Sequence, residues 1–280
     1  MTLRLGRREF PDEATLVMAI IDRTPDPWAA DGSASKMQAT PDRIAQAVAE
    51  GADVIDIRGA KVLPGVEVDT ARERRSLVAL VRQVRDAYPD LVISVETSCA
   101  EVTQAVLVEG ADLIHDATSG GDTLLAVIAA HGAALICADF KNEYPRRHPH
   151  RLENADGVER SISSTVDHAE RAVSFGVDRR SILIHPTPAF GMAWSDRLDL
   201  SDRFADMMAA GWPVVASLSH RELMGETLDL PVGERLSGTL AATAVAVLHG
   251  AQVLRVHDVA QTRHVVEMVS EIAGRRLSTV

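Results

Sequence analysis

Acids, imidazoles and guanidiniums recur in this sequence at the ends of short apolar runs. Asp22, Arg23 and Asp26 follow "VMAII", Asp56 and Arg58 lie in "VIDIR", and Glu96 and Thr97 follow "LVISV". His115 with Asp116, Asp139, His185, the trio Ser219, His220 and Arg221, and Arg255, His257 and Asp258 repeat the arrangement. Carboxylates beside imidazoles are the groups of acid–base chemistry. Arg255 and His257, two residues apart on one strand face, suit a phosphate or another anion, with a salt bridge to neighbouring acids as the alternative. His115, His185, His257, Asp22 and Asp139 could in principle ligate zinc or iron, but the tight motifs, two histidines around one residue or His-Glu-x-x-His, are absent. Asp22 is a magnesium candidate, provided that a phosphorylated ligand completes the coordination shell. No phosphate-cradling Walker loop, dinucleotide Gly fingerprint or serine elbow is present. Some of these polar residues also fit helix caps: Asp258 before "VAQT", Asp116 before a Ser-Gly-Gly turn and Ser98 before "CAEV".

The elements that must carry these groups follow one pattern. A helical stretch ends in Gly and a β-rich run follows, as in "AEGADVIDI", "VEGADLIHDA", "AHGAALICAD", "AAGWPVVASLS" and "LHGAQVLRVHD". Gly suits the left-handed residue that ends a helix. Runs of Val, Ile and Leu without polar alternation suit strands covered on both faces, as in a parallel sheet. Strands are expected at 16–21, 53–57, 91–96, 112–116, 134–138, 181–185, 213–218 and 252–257. Helices are expected near 40–50, 70–88, 99–109, 122–131, 163–176, 200–210, 233–249 and 259–274. Within 70–88, Leu77, Leu80, Val81 and Val84 share a face. Eight such units in 280 residues predict an α/β fold, a (β/α)8 TIM barrel built as a single domain over 1–280, with a doubly wound open sheet as the runner-up. In such barrels chemistry gathers at the carboxyl ends of the strands, where the polar residues above are found. The polar stretch 140–162 is either a lid or a surface loop.

Composition narrows the function. The chain is 46% hydrophobic and 25% charged, with a formal net charge of -11. That balance argues against a general binder of nucleic acid or anionic membranes, and leaves a small-molecule ligand at the barrel mouth as the expected partner. Two distant cysteines, Cys99 and Cys137, exclude a disulfide framework and read as small buried residues. The first residues lack a long apolar run, so no signal peptide is expected and a cytoplasmic protein is the default. "SGTLAATAVAVLHGAQVL" is interrupted by polar residues and Gly250, and reads as a buried helix and a strand rather than a membrane span.

The order of the motifs resembles that of dihydropteroate synthase, a (β/α)8 enzyme of folate synthesis, from about residue 15 to 274. The stretches that carry the resemblance are "VMAIIDRTPDPWAADG", "GADVIDIRGAKVLPG", "ISVETSCAEV", "GADLIHDATSGG", "LIHPTPAFGM", "ASLSHRELMG" and "LRVHDV". The resemblance implies a transferase that condenses a dihydropterin pyrophosphate with p-aminobenzoate, assisted by magnesium and by two loops after the first and second strands. It assigns the pterin pocket to Glu96, His115, His185, Arg221 and Arg255, and the anion site to Arg255 and His257. Loop contacts fall on Val62, Leu63 and Phe190. The family commonly dimerises through its last helices; 233–249, rich in Ala, Leu and Val on several sides, fits a homodimer, with a wholly internal helix as the alternative.

Departures from the family pattern fall on the working parts. Asp22 stands where the family has Asn, and without a metal its carboxylate repels pyrophosphate. In the second loop the family's Thr and Arg are replaced by Val62 and Leu63, while Pro64 and Gly65 survive. Glu96 replaces an Asp, His115 an Asn and His185 a second Asp; Met192 and Arg221 replace lysines; Phe190, Gly191, Arg255 and His257 are kept. A neutral imidazole offers one acceptor where a carboxylate takes two hydrogen bonds. With each charged hydrogen bond worth about 1.5–3 kcal/mol, the altered pocket loses roughly 3–6 kcal/mol, or about 10²–10⁴-fold in pterin affinity. Three readings stand: a synthase-like protein that has lost the activity, binds dihydropterin pyrophosphate poorly and keeps a residual pocket; an enzyme of different specificity for a phosphorylated or aromatic small molecule; and a weak genuine synthase. Pterin-binding methyltransferases share the barrel, but rely on the Asp and Asn anchors replaced here.

Overall fold

The computed structural model describes residues 2–22, 40–58, 70–116, 118, 121–138, 157–186, 204–219 and 222–274. The chain begins with a hairpin that no periodicity announced, because three-residue strands are too short to show one. β1 (Leu3–Leu5) pairs antiparallel with β2 (Arg8–Phe10) around a two-residue turn whose Gly6 has φ +59°. An added Cβ at Gly6 would overlap the Asp112 side chain, so this position needs glycine for space as well as conformation.

Eight parallel strands follow: β3 (Leu16–Ile21), β4 (Val54–Arg58), β5 (Val92–Glu96), β6 (Leu113–Asp116), β7 (Ala134–Ala138), β8 (Ile182–His185), β9 (Val215–Ala216) and β10 (Val253–Val256). Their order is β8-β7-β6-β5-β4-β3-β10-β9, all pairings parallel. A parallel bridge from Ile184 to Val214 joins the ends of this order and closes the barrel. The strand expected at 213–218 is therefore divided: Val214 faces β8, while Val215 and Ala216 pair with β10. Pro213 has no N–H, but its carbonyl accepts from Ile184 N at 2.8 Å, and the Gln252 amide oxygen accepts from Val214 N at 2.9 Å.

Helices alternate with the strands. They are α1 (Thr40–Ala49), α2 (Thr70–Ala87), α3 (Ala100–Val108), α4 (Asp122–His131), α5 (Gly157–Ser174), α6 (Phe204–Ala209), α7 (Glu222–Leu228), α8 (Leu236–His249) and α9 (Val259–Ile272). On α2, Leu77, Leu80, Val81 and Val84 are buried together, each contributing roughly 1.5–3 kcal/mol. α4 and α8 end on left-handed Gly132 and Gly250. α5 starts at Gly157 rather than at 163, because Ile162, Val166, Ala169 and Val173 keep helical spacing, and the first three pack against the core. Part of the expected loop 140–162 is thus helix; residues 140–156 lie outside the described residues.

Two apolar layers hold these elements. One lies between the sheet and the helices and includes Val17, Ile55, Val81, Ile114, Leu135 and Ile184. The other fills the amino-terminal half of the barrel with Met18, Val54, Val92, Leu113, Leu183 and Val253, and the hairpin residues Leu3, Leu5 and Phe10 close it from below. Among the described residues, no helix is long and apolar enough to cross a membrane.

Candidate functional site

The inward face of each strand changes character along its length. Period-2 alternation places Val54, Asp56 and Arg58 on one line, and likewise Val92, Ser94 and Glu96, Leu113 and His115, Leu183 and His185, and Val253, Arg255 and His257. The amino-terminal member of each line is apolar and packs in the barrel. The carboxyl-terminal members are polar and converge at the mouth.

Arg255 is the centre of this polar layer. It is 1% exposed, donates from Nε to Asp56 Oδ2 at 2.7 Å and from Nη2 to Glu96 Oε2 at 2.6 Å. Glu96 Oε2 also accepts from Arg58 Nε at 3.2 Å, and Arg58 Nη1 donates to Asp22 Oδ1 at 3.1 Å. His257 Nε2 lies 3.5 Å from Asp22 Oδ2, and its backbone N–H donates to Ser219 Oγ at 3.1 Å. Asp56 accepts further from Ser94 Oγ at 2.5 Å and faces His115 Nδ1 at 3.2 Å. His115 Nε2 in turn lies 3.2 Å from His185 Nδ1.

Burial pushes the Asp56 and Glu96 carboxyls up, but neighbouring cations outweigh it. Arg255, then His115 and Ser94, hold Asp56 far below the usual carboxylate range. Arg58, Arg255 and His115 hold Glu96 below its ordinary value against the opposing charge of Asp56.

Of the sequence-derived candidates, the structure brings together Asp22, Glu96, His115, His185, Arg255 and His257. The alternative reading of Arg255, a salt bridge to neighbouring acids, describes its geometry. Arg221, Val62, Leu63 and Phe190, and with them Asp139, Gly191, Met192 and His220, lie outside the described residues. Ser94 was missed; its only signal was its place two residues before Glu96. The outward-facing Asp116 accepts from Thr118 N and Oγ1, both at 3.0 Å, and lies 3.4 Å from His168 Nε2 on α5. It turns the chain after β6 but does not cap α4, whose N-cap is Gly121. Asp258 precedes α9 without a side-chain cap bond, and Cys99 rather than Ser98 takes the cap position before α3. Cys137 is buried, which pushes its thiol up, while Cys99 is half-buried; both are free.

Neither candidate arrangement among the described residues fits a metal. Asp56, Glu96 and His115 present ligand atoms within 4.8 Å of one another. Arg255 already bonds one carboxylate oxygen of Asp56 and one of Glu96, so a cation there would meet a guanidinium. Asp22 offers magnesium one carboxylate, and Arg58 holds it.

The family described as "Pterin binding enzyme" matches residues 18–257. A Mycobacterium tuberculosis (strain ATCC 25618 / H37Rv) protein named "Inactive dihydropteroate synthase 2" is 44% identical over 279 residues, covering 98% of this chain and 87% of its own length. A protein of the same name from Mycobacterium leprae (strain TN) is 42% identical over 287 residues, covering 100% of this chain and 98% of its own. Among solved structures, dihydropteroate synthase from Thermus thermophilus in complex with 4-aminobenzoate superposes with a TM-score of 0.83 at 27% identity, covering 97% of this chain and 100% of that one.

Proposed function

Because the chain belongs to the pterin-binding enzyme family, we propose that it is a dihydropteroate synthase-like protein that has lost the synthase activity, binds dihydropterin pyrophosphate poorly and keeps a ligand pocket at the barrel mouth. The observation that carries this reading is the mutual pairing of the polar groups there. Arg255 is held by Asp56 and Glu96, Glu96 is shared with Arg58, and His115 faces both Asp56 and His185. A pterin would have to break buried charged hydrogen bonds, and the imidazole of His185 accepts once where a carboxylate accepts twice. The relatives named inactive synthases support the same conclusion.

Calorimetric titration with dihydropterin pyrophosphate and magnesium, followed by a synthase assay, tests this reading. Binding near millimolar or undetectable, without turnover, is expected. Micromolar binding or measurable dihydropteroate formation would overturn it.

We assign the pocket to Glu96, His115, His185, Arg221 and Arg255 and any anion to His257 beside Arg255, in a single-domain cytoplasmic protein. The chain forms a homodimer through its last helices. Leu248 on α8 and Met268 and Ile272 on α9 are 53%, 61% and 75% exposed, and α8 packs against α9. A dimer mass at micromolar concentration is expected, reverting to monomer in Met268→Glu with Ile272→Glu; a monomeric wild type would refute the assignment.

A further inference from the structure

A cavity of about 410 Å³ lies at the amino end of the barrel, at the far end of the sheet from the mouth. The tip of the β1–β2 hairpin forms one wall, and the junctions from α2 to β5, α3 to β6 and α4 to β7 form the rest. Its floor is apolar: Leu5, Leu91, Val92, Leu107, Ala111 and Ala133 are each 9% exposed or less. Small-molecule sites have volumes of roughly 300–1,000 Å³ and combine such a floor with a few polar groups.

The polar groups on its wall are Arg7, Arg8, Arg85, Asp90, Asp112 and His131. The carboxyl ends of α2, α3 and α4 reach the cavity, and their dipoles taken alone favour a cation. The carbonyls there are already answered. Arg85 donates to those of Tyr88, Pro89, Leu91 and Gly110, while Leu107 and Ala129 accept from Gly110 N and Gly132 N. Side-chain charge therefore decides what the cavity takes. Arg85 and Asp112 neutralise each other at 2.6 Å. On the hairpin, Arg4 pairs with Asp178 at 3.1 Å and Glu9 lies 3.8 Å from Arg180, both away from the cavity. Arg7 and Arg8 line the cavity and make no ion pair with any described residue. Arg7 acts on Asp112 only from beyond ion-pair distance, and the Arg8 guanidinium lies 4.9 Å from the centre of the Phe10 ring. Against these two cations stands Asp90, which leaves one net positive charge beside His131.

We propose that this cavity is a second ligand site, separate from the barrel mouth, for a small organic monocarboxylate whose apolar body lies on Leu5, Leu91 and Leu107 and whose carboxylate meets Arg7 and Arg8. A single surplus positive charge matches a monoanion, and the planar guanidinium fork matches a carboxylate. The Arg85 clamp stays closed beside the ligand, so the walls it braces are in place before binding and little ordering cost is added. The site is independent of what the mouth receives.

The test titrates the full chain with 2-naphthoate and with the uncharged 2-naphthamide, read by calorimetry. Naphthoate is expected to bind with a dissociation constant of about 1 mM or tighter, and naphthamide about tenfold more weakly. Arg7→Ser combined with Arg8→Ser is expected to weaken naphthoate about tenfold and to leave naphthamide unchanged. Arg7 is exposed, so Arg7→Ser alone reads the same contact, at about threefold, should the double variant fail to fold. Methyl NMR of leucine-labelled wild type locates the ligand without any variant: Leu5, Leu91 and Leu107 are expected to shift together. Equal affinity for naphthoate and naphthamide overturns the monoanion. Naphthoate affinity untouched by the arginine variants, or shifts confined to other leucines, overturns the site. No binding of either probe overturns both.

Discussion

The two ends of the barrel use the same residue types for opposite purposes. At the amino end, the repeated Gly-Ala-Asp of "GADVIDI" and "GADLIHD" builds the same clamp twice. Arg263 donates to the Gly51 carbonyl from Nε and Nη2 at 3.1 and 2.6 Å and pairs with Asp53, whose Oδ2 accepts from Val17 N at 2.8 Å. Arg85 donates to the Gly110 carbonyl from Nε and Nη2 at 3.1 and 2.8 Å and to Asp112 Oδ2 at 2.6 Å, and that oxygen accepts from Ile93 N at 2.9 Å. At the mouth, Arg255 and Arg58 donate to the side-chain carboxylates of Asp56, Glu96 and Asp22. A guanidinium on a backbone carbonyl braces the main chain itself. A charge tied to other side chains can be exchanged for a ligand by rotamer changes alone. The amino end is therefore the structural half and the mouth is the adaptable one, in keeping with the division of labour in such barrels.

The sharpest way to break this contrast is Arg255→Ala. It leaves Asp56 buried without its cation, and a loss of about 3–5 kcal/mol in urea denaturation is expected. A cost as small as that of an exposed pair would mean that the mouth carries no buried charge problem. Arg85→Ala comes next. It strips the Gly110 carbonyl and Asp112 of their donor, and an expected loss of roughly 2–3 kcal/mol should not be rescued by Arg85→Lys, since an ammonium lacks the planar fork. Full rescue by lysine would show that charge, not geometry, holds the clamp.

The smallest effect separates the two ends by pH. The folded state holds Glu96 below its ordinary value of 4.5, so its contribution is fully present above about pH 4.5 and is lost as pH falls through the lower folded value. Asp112 has the opposite sign: burial pushes its carboxyl above 3.8 despite the Ile93 N–H and Arg85, so its contribution is present below 3.8 and is lost as pH rises through the folded value. Denaturant midpoints measured from pH 7 down to pH 3 should fall less steeply in Glu96→Gln and more steeply in Asp112→Asn. Parallel curves for wild type and both variants would contradict the assignment.

Much of this architecture was legible in the residues themselves. Eight apolar runs separated by helical stretches ending in Gly specify the alternation of strand and helix, because chain chirality and burial on both faces leave few other arrangements. The spacing of Leu77, Leu80, Val81 and Val84 gives the buried face of α2, and polar residues at the strand ends mark the mouth. Those signals are local, with periods of 2 and 3.6, so the sequence alone carries them. The hairpin at Leu3–Phe10 escaped because its strands are too short to show a period, and the split of β9 escaped because closure, not propensity, decides it. The pairing of Arg255 with Asp56 and Glu96 joins residues 199 and 159 positions apart. His115 and His185 meet across β7, where Ile136 and Ala138 are their register partners. Only the closed sheet, whose register sets which inward side chains share a level, brings such partners within a hydrogen bond of one another.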